Sequence, residues 1–202
     1  MGGKDAIAEF DSKDGRRVLL RPLRMKDIDQ CLRFANALVK ERRTNLDMGI
    51  ISFDRRVTRK EEMIFLRTVV KGASQKKVVS VAAFVGERLV GNCDIRRRKA
   101  KDEHHSGVFG IVLLDGYRGV GIGEMMMAEA IQEARALGIW LVELSVFANN
   151  GPAIHLYEKM GFLRAGVIPH KVIRGDRNYD EIMMYADLRG IDISTNNRRR
   201  KS

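Results

Sequence analysis

The sequence predicts an α+β domain, with a central mixed sheet, mostly antiparallel and twisted, and helices on both of its faces. Three observations lead there. Two pairs of apolar runs are each joined by a two-residue link containing glycine, which reads as a β-hairpin. Other runs pass into segments of helical period before the chain returns to a strand, and a glycine-rich turn joins one strand to one helix. Hairpins make antiparallel neighbours and strand–helix–strand crossovers make parallel ones, so one sheet must hold both.

Taken in order, residues 18–21 form a short strand ended by Pro22, and residues 25–41 follow as a helix with Ile28, Leu32, Ala35 and Val39 at helical spacing. Thr58-Arg59-Lys60-Glu61 fits a capping box and starts a second helix, whose Met63, Leu66 and Val70 face inward. Residues 78–85 and 88–95 are strands joined through Gly86-Glu87. A basic loop leads to a strand at 107–114, then the glycine-rich turn, then a helix at 124–137 that ends at Gly138. A buried strand at 141–147 runs into Asn149-Asn150-Gly151-Pro152, which supplies cap candidates and a proline for the first turn of a short helix ending near Gly161. Strands at about 163–173 and 178–188 close the domain through Gly175-Asp176. The order is β, α, α, β, β, β, α, β, α, β, β.

The chain has 202 residues, 45% of them hydrophobic, which suits one packed domain at 1–188 followed by a basic, flexible tail at 189–202. No run reaches the ~18 apolar residues of a membrane span, and the charged first ten residues do not read as a signal peptide. A cytoplasmic protein without membrane partners is expected. Cys31 and Cys93 lack metal-ligand spacing and read as buried free thiols. The formal charge is +11, but nine positive charges sit in two runs, Arg96, Arg97, Arg98, Lys99 and Lys101 in a loop and Arg198, Arg199, Arg200 and Lys201 in the tail. The excess belongs to those runs and does not of itself imply nucleic acid.

Arg118-Gly119-Val120-Gly121-Ile122-Gly123 lies between a strand and a helix, where backbone amides and the positive end of the helix dipole attract an anion. It is not a dinucleotide fingerprint, because Glu124 stands where the third glycine belongs, and not a P-loop, because Ile122 stands where lysine belongs. A pyrophosphate held by backbone amides fits better. Arg118-x-x-Gly121-x-Gly123 after an apolar strand resembles the acetyl-CoA signature Q/R-x-x-G-x-G/A of the GNAT N-acetyltransferase superfamily. Further on, Asn150-Gly151-Pro152-Ala153-Ile154-His155-Leu156-Tyr157-Glu158-Lys159-Met160-Gly161-Phe162 resembles its second motif, N-x-x-A-x-x-L-Y-E-K-x-G-F. The surrounding text is most similar to bacterial and archaeal members that acetylate amino acids, polyamines or protein N-termini.

The resemblance covers roughly residues 18–188. It implies the GNAT fold, with a splay between two parallel strands, and direct transfer of acetyl from acetyl-CoA to a primary amine. That reaction must polarise a thioester carbonyl, remove a proton from an ammonium and protonate a departing thiolate. The resemblance places amides of Ile111, Val112 and Leu113 against pantetheine and the carbonyl, and those of Gly119, Val120, Gly121, Ile122, Gly123 and Glu124 against the pyrophosphate. Arg118 would add charge near the phosphates, Tyr157 would be the general acid and also touch the cofactor, and Asn150 would contact the cofactor or cap its helix. No metal is implied, and family habit implies a homodimer.

The base has no motif, because Gly107-Val108-Phe109 offers no titratable group where many members carry one. Glu143, in an apolar strand context where burial would raise its pKa, is the candidate, sharing a face with Ser145. Asp94, Asp180 or no dedicated base are alternatives. His104 and His105 point to opposite faces of an extended chain and cannot form a metal pair. In the superfamily the acceptor is shaped by the first two helices and the closing hairpin, where Arg42, Arg43 and Asp47 lie; a carboxylate-binding arginine there favours amino acids, an acidic groove polyamines or lysine. Two other classes compete: a nucleic-acid- or ribosome-associated basic module, and a non-catalytic acyl-CoA-binding regulator on the same fold.

Overall fold

Alternation along the strands decides which side of the sheet each helix covers. In a computed structural model, which describes residues 6–49 and 55–191, the strands are β1 (Ala8–Asp11), β2 (Arg17–Arg21), β3 (Val78–Val85), β4 (Arg88–Arg97), β5 (Ser106–Leu113), β6 (Leu141–Phe147), β7 (Leu163–Arg174) and β8 (Arg177–Asp187). The helices are α1 (Ile28–Thr44), α2 (Arg59–Ser74), α3 (Ile122–Ala136) and α4 (Gly151–Lys159). Among the described residues the strands form one sheet in the order β1-β2-β3-β4-β5-β6-β8-β7, with every neighbouring pair antiparallel except β5 and β6.

β3 shows the division. Val79, Val81 and Ala83 pack with α3 and α4, whereas Val78, Ala82 and Phe84 pack with α1 and α2. The first core holds Ile122, Met126, Ile131, Ile154 and Phe162; the second holds Cys31, Phe34, Leu66 and Val69. Both cysteines are free and buried. Leu66→Ala should lower unfolding free energy by about 2–5 kcal/mol in a denaturant titration, because it empties a fully buried site, whereas exposed Ile64→Ala should change it by no more than about 0.5 kcal/mol. Equal losses would contradict the assignment of the α2 face.

Local chemistry sets the boundaries. Thr58 and Glu61 close the expected capping box, each side chain accepting the other's backbone N–H, at 3.3 and 2.9 Å. Gly86 and Gly175 take φ values of 57° and 62° in the two hairpin turns. The element order begins with one strand more than the sequence suggested: β1 pairs with β2 through Ala8↔Leu20 to Asp11↔Arg17. β7 is the other outer strand, paired to β8 on one side, with register shifts between Arg164 and Gly166 and between Ile168 and Val172, the second containing Pro169. No described helix is long and apolar enough to cross a membrane. Of the tail, residues 192–202, including the basic run 198–201, lie outside the described residues.

Candidate active site

The parallel strands part company early. β5 and β6 pair at Ser106↔Leu141, Gly107↔Val142 and Val108↔Glu143, and the pairing stops there although both strands continue. Bonds from Arg98 N to the Ser106 carbonyl (3.0 Å) and from Leu114 N to the Val90 carbonyl (2.9 Å) fix which β5 residues face β4. By alternation Val112 is bonded to β4 opposite Asn92, while the N–H and C=O groups of Ile111 and Leu113 point into the widening gap. Val112 therefore does not supply an amide to the gap, and its side chain packs against the second core.

At the end of this gap the glycine-rich turn starts α3. Gly116, Gly119 and Gly121 have φ of 76°, 74° and 89°, a left-handed backbone that other residues adopt at a cost. Gly121 is the N-cap, and the first helical bond runs from Met125 N to its carbonyl, so the amides of Ile122, Gly123 and Glu124 point out of the helix end. Gly123 is packed between Leu113 and Leu156, where an added Cβ would meet their methyls at 3.4 and 3.5 Å. Glu124 is held by Lys159 Nζ at 2.7 Å, tying α4 to α3.

Arg118 is turned away from the role the sequence assigned it. Its Nε and Nη2 donate to the Leu113 carbonyl at 3.0 and 2.7 Å, and its guanidinium is ion-paired with Glu41 of α1. A cation that sequence reasoning missed lies nearer the turn. Lys13, in the β1–β2 loop, donates its backbone N–H to the Val120 carbonyl at 3.0 Å, and its side chain lies 3.8 Å from where a Cβ on Gly121 would be. Without β1, no sequence signal could have placed it there.

On the α3–α4 face, Asn150 caps α4: its Oδ1 accepts from Ala153 N at 3.3 Å. Tyr157 is 7% exposed and meets Phe109, the first β5 residue beyond the paired segment, edge to face at 6.1 Å. Burial, and secondarily the neighbouring Cys93 thiol, push the phenol pKa far above its ordinary value, so this hydroxyl keeps its proton.

On the opposite face stand Glu143, Ser145 and Phe147 of β6 with Tyr179, Glu181 and Met183 of β8. The burial expected for Glu143 is not there: its side chain is 35% exposed and ion-paired with Arg98 at 2.5 Å, because the basic loop folds over this end of β6. Ser145 does not share a partner with it; its hydroxyl donates to Glu181 Oε1 at 2.9 Å. Glu181 is only 5% exposed, sits directly across from Phe147, and was not singled out by the sequence. Of the other acids, Asp94 is ion-paired with Arg96 at 3.1 Å beside Gly110, and Asp180 accepts the His170 amide at 2.8 Å in the β7 bulge. His105 stacks on Trp140 at 4.3 Å. Among the described residues no group of three or more His, Cys, Asp or Glu side chains could hold a metal ion.

The model of the Acetyltransferase (GNAT) family matches residues 50–162, more than half of the chain. An uncharacterised N-acetyltransferase of Bacillus subtilis (strain 168) is 32% identical over 83 residues, 41% of this chain and 53% of the relative. Streptothricin acetyltransferase of Streptomyces lavendulae is 42% identical over 78 residues, 39% of this chain and 41% of the relative. The chain thus matches about half, or less, of the length of these curated relatives. A crystal structure of a GNAT-family acetyltransferase from Streptococcus pneumoniae superposes with a TM-score of 0.73 at 28% identity, covering 83% of this chain and 98% of that one.

Proposed function

The chain belongs to the acetyltransferase (GNAT) family, and from that premise we propose that it transfers acetyl from acetyl-CoA to a primary amine by direct attack on the thioester. The observation that carries this reading is the cleft opened where β5 and β6 part beyond Val108 and Glu143. The backbone groups of Ile111 and the N–H of Leu113 are open to it, the outward-facing amides of Ile122, Gly123 and Glu124 follow at the start of α3, and Tyr157 stands on one side of the sheet with the Ser145–Glu181 pair on the other.

The chain's residues fit such a cosubstrate. Unpaired strand amides suit the amide-rich pantetheine arm and the acyl carbonyl, and a helix N-terminus with a left-handed glycine cap suits a pyrophosphate, with Lys13 supplying charge. Bound acetyl-CoA supplies an activated acyl group; the chain supplies position and proton traffic. Glu181 takes the proton from the acceptor ammonium, oriented by the Ser145 hydroxyl, and Tyr157 gives its proton to the departing sulfur. Glu143 instead anchors the basic loop through Arg98, and Arg97 donates to the His104 and Leu137 carbonyls. Arg96, Arg97 and Arg98 thus have partners within the fold, and Lys99 and Lys101 of the loop are exposed.

Acetyl-CoA should raise the melting temperature, and free CoA should appear when a suitable amine is added. If a panel of amino acids, polyamines and N-terminal peptides gives neither, the proposal fails. Tyr157→Phe should bind acetyl-CoA normally and turn over about 10²-fold more slowly. Because the wild-type phenol stays protonated well beyond neutral pH, the loss should be equal at every pH from neutral to mildly alkaline. Wild-type turnover in this variant would remove Tyr157 from the mechanism.

A further inference from the structure

Opposite the open edge of β5 stands a buried arginine, with a second, half-buried one beside it. Arg174, the last residue of β7, is 7% exposed and lies over the Phe147 and Tyr179 rings at 5.2 and 5.8 Å. Its Nη1 donates to the Leu46 and Met48 carbonyls at 2.5 and 2.7 Å, which pins the loop after α1 against the end of β6. Arg42, in the last turn of α1, brings a second guanidinium close enough to act on the first: burial, and next the Arg42 charge, lower the Arg174 pKa. Nη1 of Arg42 is itself buried and has no hydrogen-bond partner. Asp47, the acid of this loop, is exposed and already accepts from Tyr179 Oη at 3.0 Å and Arg177 Nη1 at 3.3 Å.

A buried cationic N–H without an acceptor costs more than a neutral one, and a like charge alongside adds to that cost. An incoming oxyanion relieves both. Its place in the cleft is set by register: carrying the parallel alignment four residues beyond Val108↔Glu143 brings Phe147 level with Val112, so the ring under Arg174 lies at the height of the open Ile111 and Leu113 edge. Phe147 is also the cross-strand partner of Glu181. A cationic wall and a proton acceptor therefore stand side by side, as the carboxylate and amine of one small molecule do.

We infer that Arg42 and Arg174 form a subsite for the carboxylate of the acceptor, so that the acceptors are amino carboxylic acids and not polyamines, lysine side chains or protein N-termini. This rests on the acetyltransferase reading of the same cleft, and it goes further by fixing the substrate class. Arg174 is already committed in part to holding the loop, so Arg42 is the residue through which the subsite is tested.

The test uses the full chain with proteinogenic amino acids and their carboxamides, which keep the amine and side chain but lose the negative charge. At least one amino acid should release CoA with kcat/KM about 100-fold above that of its carboxamide, the discrimination expected of a buried charge-assisted contact. In Arg42→Gln that ratio should collapse toward unity, mostly through KM of the acid, and Arg42→Lys should restore part of it. A wild-type ratio near unity, or a variant that lowers acid and carboxamide alike, overturns the subsite while leaving the transferase. If no amine releases CoA, thermal stabilisation by amino acids decides: stabilisation of the wild type but not of Arg42→Gln supports the subsite although the transferase reading has failed. No stabilisation of either overturns both.

Discussion

Gly121→Glu should bind acetyl-CoA at least 100-fold more weakly than the wild type, a loss of about 2.7 kcal/mol in a calorimetric titration. Three effects add. The N-cap backbone sits at φ 89°, where a side chain imposes strain of about 1 kcal/mol or more. A carboxylate there points its charge at the place where the α3 amides attract an anion, and it draws the Lys13 side chain, 3.8 Å from the new Cβ, into an ion pair within the protein. The fold itself should survive, because an acid at a helix N-terminus is favourable to the helix and a Cβ on Gly121 would meet only the Lys13 side chain, at 3.8 Å. Undiminished binding by a folded Gly121→Glu would show that the glycine-rich turn does not hold the cosubstrate.

Glu181→Gln should lower kcat by about 10²–10⁴-fold, the range for loss of a general base, while leaving acetyl-CoA affinity close to that of the wild type. Glutamine keeps the shape and still accepts from Ser145, which separates the chemical role from packing. Glu143→Gln provides the contrast. It breaks the half-exposed Arg98 pair, worth at most about 1 kcal/mol, and should leave kcat within about threefold. If the Glu143 variant lost its activity and the Glu181 variant did not, the assignment of the base would be reversed.

The contrast between these two acids shows where the sequence stops being informative. Signals that live within a few residues came through: Thr58 and Glu61 close their box, Gly86 and Gly175 turn their hairpins, and the helix that the glycine turn announces starts at Ile122. Pairings decided by distant chain did not. Glu181 reaches Ser145 across 36 residues of sequence, and Arg118 reaches Glu41 across 77, so each partner is set by how β8 and α1 dock and not by local pattern. Glu143 looked buried among Leu141, Val142 and Leu144, yet period two turns it to the face where Arg98 and solvent await it. β1 was missed because four residues, two of them acidic, carry too little apolar alternation to be seen without β2 beside them.

The outer strand β7 bears on how copies of this chain can behave at high concentration. A long edge strand with apolar side chains such as Val167, Ile168 and Ile173 exposed is a template onto which another chain can add a strand and start a fibre. Here the template is interrupted. The shift at Arg164 and Gly166 and the wider one around Pro169 and His170 cut twelve residues into short stretches, and Pro169 has no N–H to offer a neighbour. Strand addition along the whole edge is thereby interrupted, and an added strand would find only the short stretches on either side of the shifts to pair with.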